Sequence, residues 1–291
     1  MYLASEVNLN LPLIKKIKSR IRTIILCLRG VYSFSYIITR YLRRYYPRIF
    51  YSVALPAGIR IYINDVVTLY TNIPDMYERR EYFLYDDFVP GKGWVVADVG
   101  AYVGVYSLWA SRVVGNNGLV ISFEPNPLAY YWLKNNVQLN KASNIITLPL
   151  ALGDALGKMQ LYVAKENIEA TSFIPEHITR NPLGRYTISA KFNVPLITLD
   201  YFLEEAELLI NKRIMNLDLV KIDVEGYELN VLKGAENSLK RGVIKRLVIE
   251  VHIDHVPTRI ITQYLKRHGF QIIGVKHFGT VKDMVYAVRK C

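Results

Sequence analysis

Cysteine is nearly absent from this chain: Cys27 and Cys291 are the only two in 291 residues. A disulfide scaffold is therefore excluded, the pair lacks the spacing of a zinc site, and neither has the setting of a nucleophile. So little cysteine suits a reducing, intracellular compartment. Long uncharged runs are missing too, because Arg29 and Arg40 interrupt the most apolar stretch before it reaches bilayer length. No small-residue cleavage site follows an apolar core, so a signal peptide is not expected. The expectation is a cytoplasmic protein, at most peripheral on the inner face of the cell membrane. Acids are scarce at one end only: residues 1–48 hold ten Lys/Arg against Glu6, while the remainder holds 27 basic and 24 acidic residues. The net charge of +12 thus belongs to an N-terminal arm, which argues against a body-wide nucleic-acid surface.

What is present is organised around residues 95–109, VVADVGAYVGVYSLW. An apolar run, Val95 to Ala97, ends at Asp98. A glycine turn from Gly100 to Gly104 follows, and apolar residues then recur at helical spacing (Val103, Tyr106, Leu108, Trp109). This reads as a buried strand, a tight turn and a helix start whose unpaired N–H groups point outward. The dinucleotide fingerprint G-x-G-x-x-G is missing. The spacing Asp98-x-Gly100-x-x-x-Gly104 fits better a loop for S-adenosylmethionine, which has no diphosphate to cradle and carries an ammonium that an acid can hold. An ordinary strand-to-helix turn with a solvated Asp98 is the structural alternative.

In chain order, residues 1–50 form a basic amphipathic helical arm. Ile14, Ile17, Ile21, Ile24, Ile25 and Leu28 alternate with Lys15, Lys16, Lys18, Arg20 and Arg22, and Gly30 is a candidate break. Residues 9–46 suit either the surface of an anionic membrane or packing on their own fold, with basic stems covering apolar surface. Packing is the commoner fate of such a helix, and an arm for RNA phosphates ranks third. Residues 51–92 form a β-hairpin and a cap segment. The hairpin is expected over 51–72, turning at Asn64-Asp65, and the aromatic stretch after it covers one end of a sheet.

Residues 93–291 alternate strands with helices, the pattern of a doubly wound parallel sheet. A second strand ends at Glu124, well placed for a ribose diol, or else capping the helix that begins near Pro127. A third strand, NIITLPLA, precedes Gly153. An inserted β element around 158–198, with Thr171, Ser172, His177 and Arg180, offers substrate contacts or a structural flap. Then LVKIDVEG places Asp223 and Glu225 at a strand's carboxyl end. In RLVIEVHID, Glu250, His252 and Asp254 alternate, so that all three face one side. FQIIGVKH and MVYAVRK are expected to form a terminal hairpin.

Together VVADVGAYVGVYSL, SFEPNP, NIITLPLALGD, ITLDYF and LVKIDVEGYELNVLKGA resemble the FkbM-type methyltransferases, with the motifs in family order from about Val95 to Val251. The resemblance implies an α/β, Rossmann-like seven-stranded sheet whose last strand is antiparallel. It implies S-adenosylmethionine as cofactor, with Asp98, Gly100, Ala101 and Gly104 around its amino-acid part. Glu124 would hold the ribose, with Pro125 and Asn126 beside it. Ala151 would lie near the adenine, Asp223 would face the methyl group, and Glu225-Gly226 would shape that rim. Tyr102 departs from the family, which often has Asn there.

Such relatives act as O-methyltransferases on hydroxyls of sugars, glycolipids and related secondary metabolites, so a small molecule, glycan or glycolipid is the expected acceptor. Asp223 is the first candidate for the base and His252 the second, unless His252 is a satisfied structural histidine. Asp223, Glu250 and His252 could also converge on a divalent metal, although no spacing demands it. An RNA methyltransferase would share the cofactor loop but needs a basic surface around the site. The Asn/Asp-Pro-Pro-aromatic signature of N-methylation is missing after the fourth strand, where KIDVEG stands. A non-catalytic cofactor-binding or membrane-surface module on the same fold is the other alternative.

Overall fold

The computed structural model describes residues 21–22, 24–28, 32–42, 51–63, 68–165, 170–179, 186–279 and 281–290. Most of the expected arm, its break at Gly30, and Arg180 of the insert lie outside the described residues. The chain divides into two compact units, Met1–Ile63 and Asn64–Cys291.

In the first unit, residues 24–28 are helical, as is α1 (Phe34–Leu42). The Tyr32 ring stacks on buried Tyr36 of α1 with centroids 4.2 Å apart. The Ala54 amide donates to Ser35 Oγ at 2.9 Å, fastening α1 to strand β1 (Tyr51–Leu55). β1 pairs antiparallel with β2 (Ile59–Ile63). This hairpin is shorter than expected. It turns at Pro56–Gly58, where proline presets one φ and Ala57 and Gly58 take φ of 61° and 68°. Thr68–Asn72, read as the second strand, winds instead as a wide helical turn. Asn64 and Asp65 lie outside the described residues. β-branched and aromatic residues flank both Pro56–Gly58 and Asn64-Asp65, and the chain turns at the first of these.

The second unit holds the seven-stranded sheet. From edge to edge the order is β12 (Phe270–Phe278), β13 (Lys282–Arg289), β11 (Arg246–His252), β10 (Leu219–Ile222), β3 (Val95–Val99), β4 (Leu119–Phe123), β5 (Ile145–Leu148). β3, β4, β5, β10 and β11 run parallel, and β13, the last in the chain, is antiparallel to both its neighbours. The architecture is thus α/β and Rossmann-like, and the terminal pair forms the expected hairpin. Central strands buried on both faces are predominantly apolar, and Val96, Ala97, Val99, Val120, Ile121, Leu219, Val220 and Ile222 are all at most 1% exposed, with buried Asp98, Ser122 and Lys221 interrupting the runs.

The chain winds outward from β3 through β4 to β5, then crosses back to β10 on the other side of β3. Strand order therefore reverses between β3 and β10, and the carboxyl ends there form a crevice. Helix α2 (Val105–Val114) follows β3 and ends at Gly115, whose φ is 71°. Helix α3 (Pro127–Leu139) follows β4, with Asn126 as N-cap: its Oδ1 accepts from the Leu128 amide at 3.0 Å, and Pro127 fills the first turn.

The expected third strand is split. β5 ends at Leu148, and β6 (Ala151–Leu152) joins a second sheet of order β6, β9 (Ile188–Ile197), β7 (Gly157–Ala164), β8 (Thr171–Ser172). This second sheet is the inserted β element, larger than its sequence suggested, and the short helix α4 (Pro175–Thr179) follows β8. α5 (Glu228–Lys233) opens after β10, and α6 (Thr258–Arg267) precedes Gly269. β11 ends at His252, so Asp254 sits on the turn beyond it instead of sharing one strand face with Glu250 and His252. Among the described residues no helix is long and apolar enough to cross a membrane.

Candidate active site

The crevice at the strand reversal is a cleft of about 960 Å3, its open mouth included. Its floor comes from the glycine turn after β3. Gly100, Tyr102 and Gly104 take φ of 79°, 50° and 91°, a left-handed geometry that glycine adopts without penalty. The Gly100 and Ala101 amides both donate to the Phe123 carbonyl at 3.0 Å, which folds the turn over the end of β4. A methyl group added at Gly100 would collide with the Asp223 carbonyl oxygen, so only glycine lets β10 approach this closely.

Glu124, at the end of β4, is buried and braces the turn. Its two carboxylate oxygens accept from the amides of Tyr102 at 2.7 Å and Asn126 at 2.8 Å. Burial pushes its pKa up to about 7, although both amides favour the charged form. A carboxylate has about four lone-pair sites, so a ligand on the cleft side can still donate to it.

Gly100, Ala101, Glu124, Pro125, Ala151 and Asp223 all line the cleft. Asp98, Gly104, Asn126 and His252 do not. Asp98 stands behind the turn, fully buried, 3.1 Å from Lys221 Nζ and accepting from Ser107 Oγ at 2.5 Å. Burial raises its pKa, and the Lys221 ammonium pulls the other way. Lys221 also donates to the Gly100 carbonyl at 2.7 Å.

Asp223 faces the cleft with its side chain 21% exposed. Tyr82 Oη lies 2.9 Å from Asp223 Oδ2 and 3.1 Å from Glu250 Oε2, so one phenol links the two acids. Lys282 Nζ lies 3.0 Å from Glu250 and 2.9 Å from Glu81. The segment before β3 supplies Asn72, Met76 and Tyr82 to the cleft, and the insert supplies Leu161, Thr171, Ser172 and Phe173. Sequence reasoning gave the 73–92 stretch only a covering role, and Tyr82 carries no motif that would single it out.

Among the described residues three groups hold ligand atoms close enough for one ion: Asp223, Glu250 and His252; His177, Glu225 and His252; and His177, Asp254 and His255. The first matches the expected trio, but Lys282 and Tyr82 already occupy Glu250. His252 is surrounded by acids, with Nδ1 2.8 Å from Glu228 and Nε2 3.3 Å from Glu225. Burial alone would favour the neutral ring, yet these carboxylates hold it well above the ordinary histidine range. Both ring nitrogens thus face carboxylates and the ring does not line the cleft, so the geometry does not present His252 to an acceptor hydroxyl as a base.

The profile of the methyltransferase FkbM domain matches residues 98–272. The methyltransferase sdnD of Sordaria araneosa is 28% identical over 194 residues, covering 61% of this chain and 73% of that protein. The 31-O-demethyl-FK506 methyltransferase FkbM of Streptomyces tacrolimicus is 27% identical over 197 residues, 62% of this chain and 74% of its own. The hexuronic acid methyltransferase AglP of Haloferax volcanii is 27% identical over 158 residues, covering 54% of this chain and 56% of that protein.

Proposed function

The chain belongs to the FkbM methyltransferase family, and on that premise we propose that it transfers the methyl group of S-adenosylmethionine to a hydroxyl of a sugar, glycolipid or related secondary metabolite. One observation carries this reading: Gly100, Glu124 and Asp223, from three different strand ends, line a single cleft at the strand reversal. Two similar proteins, whose names specify a hexuronic acid and an O-demethyl compound, support a hydroxyl acceptor.

The residues fit such a cofactor. The Tyr106 hydroxyl is buried on the cleft wall and has no hydrogen-bond partner among the described residues. An orphaned buried hydroxyl costs free energy until something pairs with it, and a carboxylate in the cleft would do so. Glu124 offers free lone pairs to a ribose diol, and Val99, Phe123, Leu150 and Leu152 give an apolar bed for a base. The cofactor supplies a methyl group on a cationic sulfur, and the carboxylates of Glu124 and Asp223 suit that charge. Asp98 contributes from behind, by fixing Lys221 and through it the turn.

Methyl transfer requires the acceptor oxygen in line with the methyl carbon and the sulfur, so much of the acceleration comes from alignment by the cleft walls. Thr171, Ser172 and Phe173 of the insert line the same cleft as the glycine turn and are the side chains available to orient the acceptor. With the cofactor bound as methyl donor, Asp223 would take the proton that the acceptor hydroxyl gives up on methylation. Tyr82 holds Asp223 in place. The basic stretch 9–46, with Leu28 and Phe34 presenting exposed apolar side chains, suits an anionic membrane where a glycolipid acceptor resides.

Calorimetric titration of the full chain with S-adenosylhomocysteine and with NAD tests the cofactor. Binding of the first alone, abolished in Gly100→Val, is expected; NAD binding would overturn the reading. Transfer of a radiolabelled methyl group to a panel of sugars, uronic acids and glycolipids tests the acceptor. Labelling of RNA alone would refute the hydroxyl of a sugar or metabolite.

A further inference from the structure

The chain has five histidines, and three of them, His177, His252 and His255, converge on Glu225 and Asp254 beside the cleft. His177 comes from α4 in the insert, far in sequence from His252 at the end of β11 and His255 on the turn after it. The His177 ring lies 5.2 Å from that of His252 and 4.6 Å from that of His255, centroid to centroid. We propose that His177, Glu225 and His252 form a binding site for a divalent transition-metal ion at the rim of the cleft.

The three ligand atoms face one another. Glu225 Oε2 lies 2.6 Å from His177 Nε2 and 3.3 Å from His252 Nε2, and all three lie within 4.8 Å of one another. Four-coordinate zinc with bonds of about 2.0–2.1 Å spaces its ligands by roughly 3.3 Å, so a small opening about Glu225 would seat an ion. Two imidazoles and a carboxylate are a borderline donor set that suits zinc, iron or cobalt over magnesium or calcium.

The outer partners follow the same logic. A metal-bound histidine donates its other N–H to a fixed acceptor, commonly a carboxylate. His252 Nδ1 meets buried Glu228 at 2.8 Å, and His177 Nδ1 meets His255 Nε2 at 2.7 Å, with Asp254 at 3.5 Å. Both rings thus have their far nitrogens engaged and their Nε2 atoms turned to the same carboxylate.

The backbone is bent to make this arrangement. Glu225 takes φ of 51°, a left-handed conformation costly for a residue with a Cβ, and Ser172 Oγ donates to its carbonyl at 2.7 Å. The next residue, Gly226, has φ of 98°, and a Cβ there would come within 2.9 Å of the His255 ring. Glu225 also lines the cleft, and Asp223 and His252 place ligand atoms within 4.8 Å of each other. Three protein ligands, one of them Glu225 on the cleft wall, match the ligand count of a catalytic metal site. There the ion would hold an acceptor hydroxyl next to Asp223. That use rests on the methyltransferase reading, whereas the binding itself does not.

The test uses the full chain, stripped with a chelator and dialysed, without cofactor or acceptor. Calorimetric titration with Zn2+ is expected to give one ion per chain, lost in His177→Ala and His252→Ala and unchanged in His277→Ala. Glu228→Gln is expected to weaken binding by about 10–100-fold. Titration with Co2+ is expected to give the intense visible absorption of a low-coordinate site in the unaltered protein. Only the pale spectrum of the hydrated ion would overturn the proposal whatever the variants do, as would Zn2+ binding that survives in the His177→Ala/His252→Ala double variant. Zn2+ binding to a protein that fails to bind S-adenosylhomocysteine would uphold the site and refute methyl transfer.

Discussion

The Lys221 ammonium lies 3.1 Å from the carboxylate of Asp98, its register partner on the adjacent parallel strand. Both side chains are at most 4% exposed. Removing one member of a buried ion pair leaves the other charged and unpaired, which costs about 3–5 kcal/mol. Lys221→Met is therefore expected to lower stability by that order, read from urea unfolding. The Lys221→Met/Asp98→Asn double variant should recover much of the loss, because the fully buried carboxylate is neutralised and Asp223, 3.5 Å from Lys221, is partly exposed and bonded by Tyr82. Equal unfolding midpoints for Lys221→Met and the unaltered protein would refute this account of the pair.

Glu124 gives cofactor binding a pH dependence of definite sign. Its pKa in the free protein is pushed up to about 7 by burial. A ribose diol donating to it favours the ionised form, so binding expels a proton when Glu124 begins protonated. Affinity for S-adenosylhomocysteine should rise from pH 6 to pH 8 and level off above, with Glu124→Gln flat across that window. Stability of the ligand-free protein moves the other way. The pKa is raised from its ordinary 4.5, so this group's contribution is full below that value and lost as pH rises through about 7. Melting curves at pH 6 and pH 8, compared between Glu124→Gln and the unaltered protein, measure that second slope.

The parts of the site that a sequence can reveal are those held by local chemistry. A turn that needs positive φ must spell itself in glycine, so Gly100 and Gly104 mark the end of β3. An apolar strand followed by an acid marks Glu124 and Asp223 in the same way. The parallel sheet was legible because strands alternating with helices must be joined by crossovers, whereas its seven strands and antiparallel last strand came from the family resemblance. What escaped was assembly at long range. Tyr82 reaches Asp223 across 141 positions of sequence, and His177 meets His255 across 78, with no periodic signal joining them. The shift of Asp98 from the cleft wall to its support had a different cause. An acid beside Gly100 reads the same whether it faces a ligand or, as here, a buried lysine on the next strand.

Tyr102 illustrates a local rule broken. Its φ of 50° lies in the left-handed region, which asparagine tolerates better than other residues with a Cβ. The Asn common at this place in the family thus suits the turn itself. Tyr102→Asn is expected to raise stability by about 0.5–1 kcal/mol through relief of backbone strain, provided little packing is lost with the ring. Thermal melting checks it, and a lower melting temperature would mean that the ring contributes more than the strain costs.

Tyr82 provides the sharpest test of the proposed base. A hydroxyl has one proton to give, yet Tyr82 sits within hydrogen-bond distance of both Asp223 and Glu250. Burial raises the pKa of Glu250, and repulsion from Asp223 adds to it, while Lys282 acts in the opposite direction. The phenol is therefore shared between the two acids, and its bond to Asp223 holds that carboxylate at the cleft. Tyr82→Phe retains the ring that packs edge-on against Tyr106, with centroids 5.5 Å apart, and removes only the donor. A hydrogen bond to a charged group is worth about 1.5–3 kcal/mol, so kcat/KM for the acceptor should fall roughly 10-fold or more. With the donor gone, Asp223 loses the contact that fixes its carboxylate, so the loss should fall on kcat. Affinity for S-adenosylhomocysteine should stay within about twofold, because the phenol acts on the base and not on the cofactor. An unchanged kcat, or a loss confined to cofactor affinity, would remove Asp223 as the proton acceptor.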